Sequence, residues 1–134
     1  KVDGVEFVAD PSETKAYEDA LAIFRKGEFA AAGTAFSDFL KRNPRTGYMV
    51  PSLFWLGNAQ YANREYSAAI KNFNTLLSKA PNHTRAPDAM LSVANCQLEL
   101  KDTKAARKTL SDLVKAYPHT EAASAASERL AKLK

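Results

Sequence analysis

A chain of 134 residues, 46% hydrophobic and 25% charged, with only five Gly and six Pro, has the size and composition of one globular domain with room for long helices. It holds no run of about 18 apolar residues, so no helix of it can span a bilayer, and its single Cys, Cys96, excludes an internal disulfide and any multi-Cys metal site. The net charge of +4 is uneven, residues 1–40 summing to −4 and residues 41–134 to +8, but the Lys and Arg are spread over separate segments rather than gathered with aromatics, which argues against nucleic acid as a partner.

The chain begins at Lys1, without Met, a hydrophobic signal core or a lipid-attachment signature, and so reads as a trimmed piece of something longer. Residues 1–13 are expected to be a lead-in. VDGVEFVADP has a turn-forming Asp3-Gly4 pair and the alternating Val5 and Phe7, so it is a flexible linker unless it adds as a strand to a partner or a neighbouring copy.

From residue 14 the pattern becomes helical. Residues 14–26 place Tyr17, Leu21 and Phe24 at helical spacing, with Ala20 and Ile23 beside them; residues 52–62 do the same with Leu53, Leu56, Gly57 and Tyr61, and residues 88–100 with Met90, Val93, Ala94 and Leu98. After each comes a tight link, KGE (26–28), NRE (63–65) or LKD (100–102), and a second amphipathic segment. These second segments superimpose at an interval of 37 residues: EFAAAGTAF (28–36), EYSAAIKNF (65–73) and DTKAARKTL (102–110). Ala32, Ala69 and Ala106 fall in register; so do Phe36, Phe73 and Leu110, then Pro44, Pro81 and Pro118.

Each class has a physical task. The Ala sits where two helices cross closely, and the Phe or Leu four residues on lies on the same face and fills the space between them. The Pro lacks an N–H and stops the second helix. Repeats are expected at about 14–47, 51–84 and 87–118, with the residues beyond a shorter period placed in loops near Gly47–Pro51 and Thr84–Pro87. After Pro118, Thr120 is a plausible N-cap for a capping helix over 120–133, with Lys132 and Lys134 near its negative end.

This order of residues resembles the tetratricopeptide repeat, W-x2-L-G-x2-Y, then A-x3-F, then P. The fold class expected is therefore all-α, a solenoid of three helical hairpins and a capping helix. The second repeat fits best, through Leu56-Gly57, Ala69-x3-Phe73 and Pro81, although Leu53 stands where the pattern wants Trp, and Trp55 and Tyr61 come late. Ala20 and Ala94 replace Gly57 in the other repeats. A narrower likeness lies in the DGVEF..ADP lead-in, the period near 37 and the closing YPHTEAASAASERLAKLK, which resemble the C-terminal domain of the CpoB (YbgF) family of Tol-Pal-associated cell-division coordinators.

That resemblance implies a periplasmic, non-enzymatic interaction module that binds TolA and a class A penicillin-binding protein and coordinates peptidoglycan synthesis with outer-membrane constriction. It also implies a monomeric fragment of a protein that trimerises through an N-terminal coiled coil. The alternative is a structural brace or adaptor in an outer-membrane protein assembly complex.

In a stack of hairpins the first helices line a concave groove. The expected groove residues are Tyr17, Leu21, Phe24 and Arg25, then Phe54, Asn58 and Tyr61, then Leu91, Asn95, Leu98 and Glu99. Asn58 and Asn95 are 37 residues apart, where many peptide-binding relatives of the repeat set an Asn against a ligand backbone. The aromatics could equally be core and each Asn could satisfy a neighbouring backbone group. Trp55 is expected to pack between repeats, and Cys96 to be a small buried apolar residue.

Catalysis has no constellation to work with. No Gly-rich phosphate loop, GxSxG or HExxH is present, and His83 and His119 follow helix-stopping Pro residues with no Cys or carboxylate at ligand spacing. No catalytic residue, metal or cofactor is expected.

Overall fold

The structure, a computed structural model, describes residues 2–4 and 6–133. Val5, paired with Phe7 in the lead-in alternation, and Lys134 lie outside the described residues. Seven helices follow in order: α1 (Pro11–Arg25), α2 (Phe29–Arg42), α3 (Met49–Ala62), α4 (Tyr66–Lys79), α5 (Ala86–Glu99), α6 (Thr103–Ala116) and α7 (Glu121–Lys132). Each packs on the next. Odd-numbered helices also touch one another, α1 on α3, α3 on α5 and α5 on α7, whereas no even-numbered helix touches another among the described residues. The odd helices therefore converge on an inner face and the even ones splay on an outer face, the geometry that curves a helical-hairpin stack.

Repetition at 37 residues governs the packing. Ala32, Ala69 and Ala106 have no exposed surface, nor do Phe36, Phe73 and Leu110. A further series three residues on, Phe39, Leu76 and Leu113, is buried as well. Gly57 is required rather than merely tolerated, because a Cβ there would meet the Phe73 ring at 2.6 Å. Polar bonds repeat too: Asn72 Nδ2 donates to Gln60 Oε1 (2.7 Å) and, one period on, Thr109 Oγ1 donates to Gln97 Oε1 (2.7 Å), each tying the two helices of a hairpin.

The links are equally periodic. Gly27, Arg64 and Lys101 all take left-handed backbone, with φ of 82°, 63° and 63°. That conformation closes a helix C-terminus and suits glycine, so the first link carries the residue the geometry favours and the other two do not. Pro44, Pro81 and Pro118 each follow the C-cap residue of α2, α4 and α6. Thr120 caps α7 by accepting from the Ala123 N–H at 3.0 Å.

Three helix starts differ from the spacing-based expectation. α1 begins at Pro11 rather than about 14, α3 at Met49 rather than 51, and α5 at Ala86 rather than 87, so Pro11, Pro51 and Pro87 lie inside first turns instead of in loops. The first four N–H groups of a helix have no partner within it, so a proline there loses nothing. Consequently part of the extra length of each repeat is helix, and α2 to α6 are all 14 residues long.

Candidate binding groove

The inner face begins with an aromatic cluster. Tyr17 of α1 stacks on Tyr48 at 4.3 Å and 14°, while Phe36, Phe39 and Phe7 meet the same pair edge-on or tilted. Tyr17 is only 5% exposed, so it is principally a core residue, and burial pushes its hydroxyl pKa up. The cluster is pinned by hydrogen bonds between Thr14 Oγ1 and Tyr48 Oη (2.9 Å) and between Thr46 and the Glu13 carboxylate.

Tyr17, Leu21 and Arg25 of α1, with Glu18, Tyr48 and Val2, enclose a cleft of about 350 Å³. Phe24 leaves that cleft and packs on Phe29 and Trp55, at 5.2 and 5.1 Å between ring centroids. Trp55 thus sits between the first and second repeats, as expected, with its buried indole Nε1–H turned toward the Tyr17 hydroxyl. Phe54 packs on Phe73 at 6.2 Å from its other side.

At the centre of the inner face stands Arg85, the residue before α5. Its guanidinium carbon lies 4.6 Å from the Phe54 ring centroid and 5.1 Å from that of Trp55. The same guanidinium donates to both oxygens of Asp3, from Nε at 2.5 Å and from an Nη at 2.9 Å. A flat cation packed against two aromatic rings, with its donor fork free to meet two oxygens at once, is suited to grip a carboxylate. Arg85 is held from behind, since its backbone N–H donates to His83 Nδ1 at 3.0 Å. His83 therefore shapes the loop, and no cluster of metal-ligating residues is present among the described residues.

The lead-in is not a free linker. Asp3 and Gly4 both take left-handed backbone, with φ of 53° and 81°, the conformation of a tight Asp-Gly turn. Phe7 lies edge-on to Tyr48 at 4.7 Å, over Gly47, where a Cβ would overlap its ring. Side-chain pairing with the inner face, rather than solvation, fixes its course.

The remaining expected groove residues are divided. Asn58 turns its Nδ2 onto the Phe54 carbonyl of its own helix (2.8 Å), whereas Asn95 Oδ1 accepts from Arg129 of α7 (2.5 Å), so two residues in register do different work. The capping helix takes the space a further repeat would fill, which also half-buries Leu91 against the C-terminal cluster. Tyr61 packs on Tyr66 at 5.4 Å; Tyr66 Oη donates to the exposed Glu99 at 3.4 Å, and Leu98 is half-buried nearby. Asp3, Phe7, Gly47, Tyr48 and Arg85 escaped sequence reasoning. Tyr48 and Arg85 are in register, 37 residues apart and each just ahead of its helix, but their unlike side chains hid the equivalence; Asp3 and Phe7 gave only the Asp-Gly turn and the Val5/Phe7 alternation, and Gly47 read as a loop residue.

With this geometry in hand the relatives can be placed. The YfiO family, described as outer membrane lipoprotein, matches residues 9–134. This is a different family from the one its lead-in resembles. No curated protein sequence matches the chain. Among solved structures it is similar to PcrH of Pseudomonas aeruginosa in complex with the chaperone binding region of PopD, with a TM-score of 0.77 at 18% identity over 96% of each chain. SycD, the type III secretion chaperone of Yersinia enterocolitica in complex with a YopD peptide, gives 0.73 at 16% identity over 96% of this chain and 93% of that one. The tetratricopeptide-repeat domain of Arabidopsis OM64 gives 0.73 at 15% identity over 90% and 94%. At such identities the likeness establishes the fold, an all-α tetratricopeptide-like solenoid.

Proposed function

The chain belongs to the YfiO family of outer membrane lipoproteins, and from that premise we propose that it is a non-enzymatic module of the cell envelope that binds extended protein segments in its inner groove. The observation that carries this is Arg85, packed over Phe54 and Trp55 and already gripping the carboxylate of Asp3 from the lead-in. Two relatives of the same fold, PcrH and SycD, are seen in complex with segments of PopD and YopD. Cys96 is sealed in the core.

The partners in this reading are TolA and a class A penicillin-binding protein in the periplasm, so that the module couples peptidoglycan synthesis to outer-membrane constriction. Support comes from the DGVEF..ADP lead-in and the closing PHTEAAS segment, which carry the resemblance to the cell-division coordinators. A second reading, a brace in an outer-membrane protein assembly complex, is favoured by the family match itself.

Titration of the chain with the TolA helical domain, with the synthase and with an outer-membrane assembly complex separates the two. Arg25→Glu with Leu21→Ala, both on the cleft, should weaken the true partner at least about tenfold while helicity is unchanged. Binding of the assembly complex alone would replace the first reading by the second, and unchanged affinity of the variant for every partner would sink the groove assignment.

A further inference from the structure

The segment in the groove belongs to the chain itself. Among the described residues no backbone–backbone hydrogen bond joins residues 2–9 to the helices. Side chains anchor the segment on the helices: Asp3 on Arg85, Phe7 on Tyr48, and Val2 against the Tyr17–Tyr48 cluster, while Val8 is fully exposed. Attachment through a few side-chain anchors, with Val8 next to them left in water, is one of the ways a bound peptide is held, by pockets for alternate side chains. Residues 2–10 carry three carboxylates, Asp3, Glu6 and Asp10, and no base, against a body whose residues 41–134 sum to +8.

We infer that residues 2–9 are a built-in competitor for the groove, and that the partner segment they mimic is an acidic peptide that turns tightly at a carboxylate for Arg85 and presents an aromatic side chain about four residues on to the Tyr48–Gly47 seat. The inference rests on the interaction-module reading above and adds its specificity and its regulation. Partner binding then requires the Asp3–Arg85 pair to open, so apparent affinity falls by the fraction of molecules in which the lead-in is already displaced. A bidentate charge-assisted pair makes that fraction small. The seat also explains Gly47: any side chain there would occupy the space of the aromatic anchor.

The test uses the full chain and the labelled decapeptide KVDGVEFVAD. Asp3→Asn should bind it about ten- to a hundredfold more tightly than the parent chain, the span expected for loss of one charged hydrogen-bonded pair. Phe7→Ala should act in the same direction, and Asp3→Asn combined with Arg85→Gln should lose the gain while keeping native helicity. Trp55, the one tryptophan, stands against Arg85 and reports each step by its fluorescence. Equal affinity of parent and Asp3→Asn overturns the inference, as does undiminished binding to the double variant, or a parent dimer that Asp3→Asn dissolves, which would place the lead-in on a neighbouring copy. In a second arm, TolA and the synthase are titrated onto parent and Asp3→Asn. A matching gain supports the inference; equal binding to both removes the competitor and leaves the module reading intact. Binding to neither, with the decapeptide still bound through Arg85, removes the Tol-Pal reading and leaves the competitor standing.

Discussion

The Phe73 ring fills the space over Gly57 so completely that a Cβ at that position would lie 2.6 Å from it. Two effects compete in Gly57→Ala: a better helix former gains about 0.5–1 kcal/mol, and overpacking costs about 1–3 kcal/mol. Because Phe73 is fully buried and cannot swing away, overpacking wins. Urea denaturation should show a net loss of about 1–2 kcal/mol. Ala69→Leu at the other close crossing should also cost about 1–3 kcal/mol. A neutral Gly57→Ala would mean that the two helices separate more easily than their packing implies.

Arg64 and Lys101 hold left-handed backbone where the first repeat has Gly27. Replacing either by Gly removes the conformational strain but adds freedom to the unfolded chain. The strain term is the larger at a helix C-terminus, so Arg64→Gly and Lys101→Gly should each raise stability by about 0.5 kcal/mol. Gly27→Arg should lower it by a similar amount. Thermal melts of the three variants check the signs.

The Gln60–Asn72 and Gln97–Thr109 bonds join equivalent helices in successive repeats, whereas the first repeat has the apolar Ile23 and Ala35 at the corresponding places. Gln97→Ala leaves the half-buried Thr109 hydroxyl without that acceptor and should cost about 1 kcal/mol. The pair Gln97→Ile with Thr109→Ala, copying the first repeat, should recover most of the loss. A double-mutant cycle reads the coupling directly.

Cys96 is fully buried, and burial first, then the nearby Glu99 carboxylate, push its thiol pKa up from an ordinary value of 9.0 to about 11. A group that keeps its proton longer when folded stabilises the fold fully below its unfolded pKa and loses that contribution as pH rises through the folded one. Stability should therefore decline between about pH 9 and 11, by about 2 kcal/mol from this thiol. Burial also raises Tyr17, Tyr61 and Tyr117, which act in the same direction at higher pH. Cys96→Ala should flatten the decline between pH 8 and 10.5 without abolishing it; an identical slope in the variant would contradict the assignment. The native thiol should be inert to a disulfide reagent at pH 8 until urea unfolds the chain.

Repetition is the reason so much of the fold was legible in the amino-acid order. Ala32, Ala69 and Ala106, with Phe36, Phe73 and Leu110, recur because each hairpin must meet the same neighbour in the same way, so a packing rule is written three times and stands out from noise. Helix starts were less legible: Pro11, Pro51 and Pro87 read as interruptions, yet a first turn has no hydrogen bond for proline to break.

The groove divides along the same line. Its wall residues Phe54, Leu21 and Arg25 follow from register, but the equivalence of Asn58 and Asn95 does not survive, since α7 supplies Arg129 to one and nothing comparable reaches the other. Only tertiary structure decides what happens at Arg85. Asp3 is 82 positions away in the chain, and the ion pair exists because the turn at Asp3-Gly4 and the Phe7 seat over Gly47 bring a lead-in residue outside the repeats to Arg85, which stands one period after Tyr48. Amino-acid order thus determined the solenoid, through short-range periodicity. Which residues face the groove empty-handed, and which already hold a ligand from their own chain, was decided by long-range contacts that no period encodes.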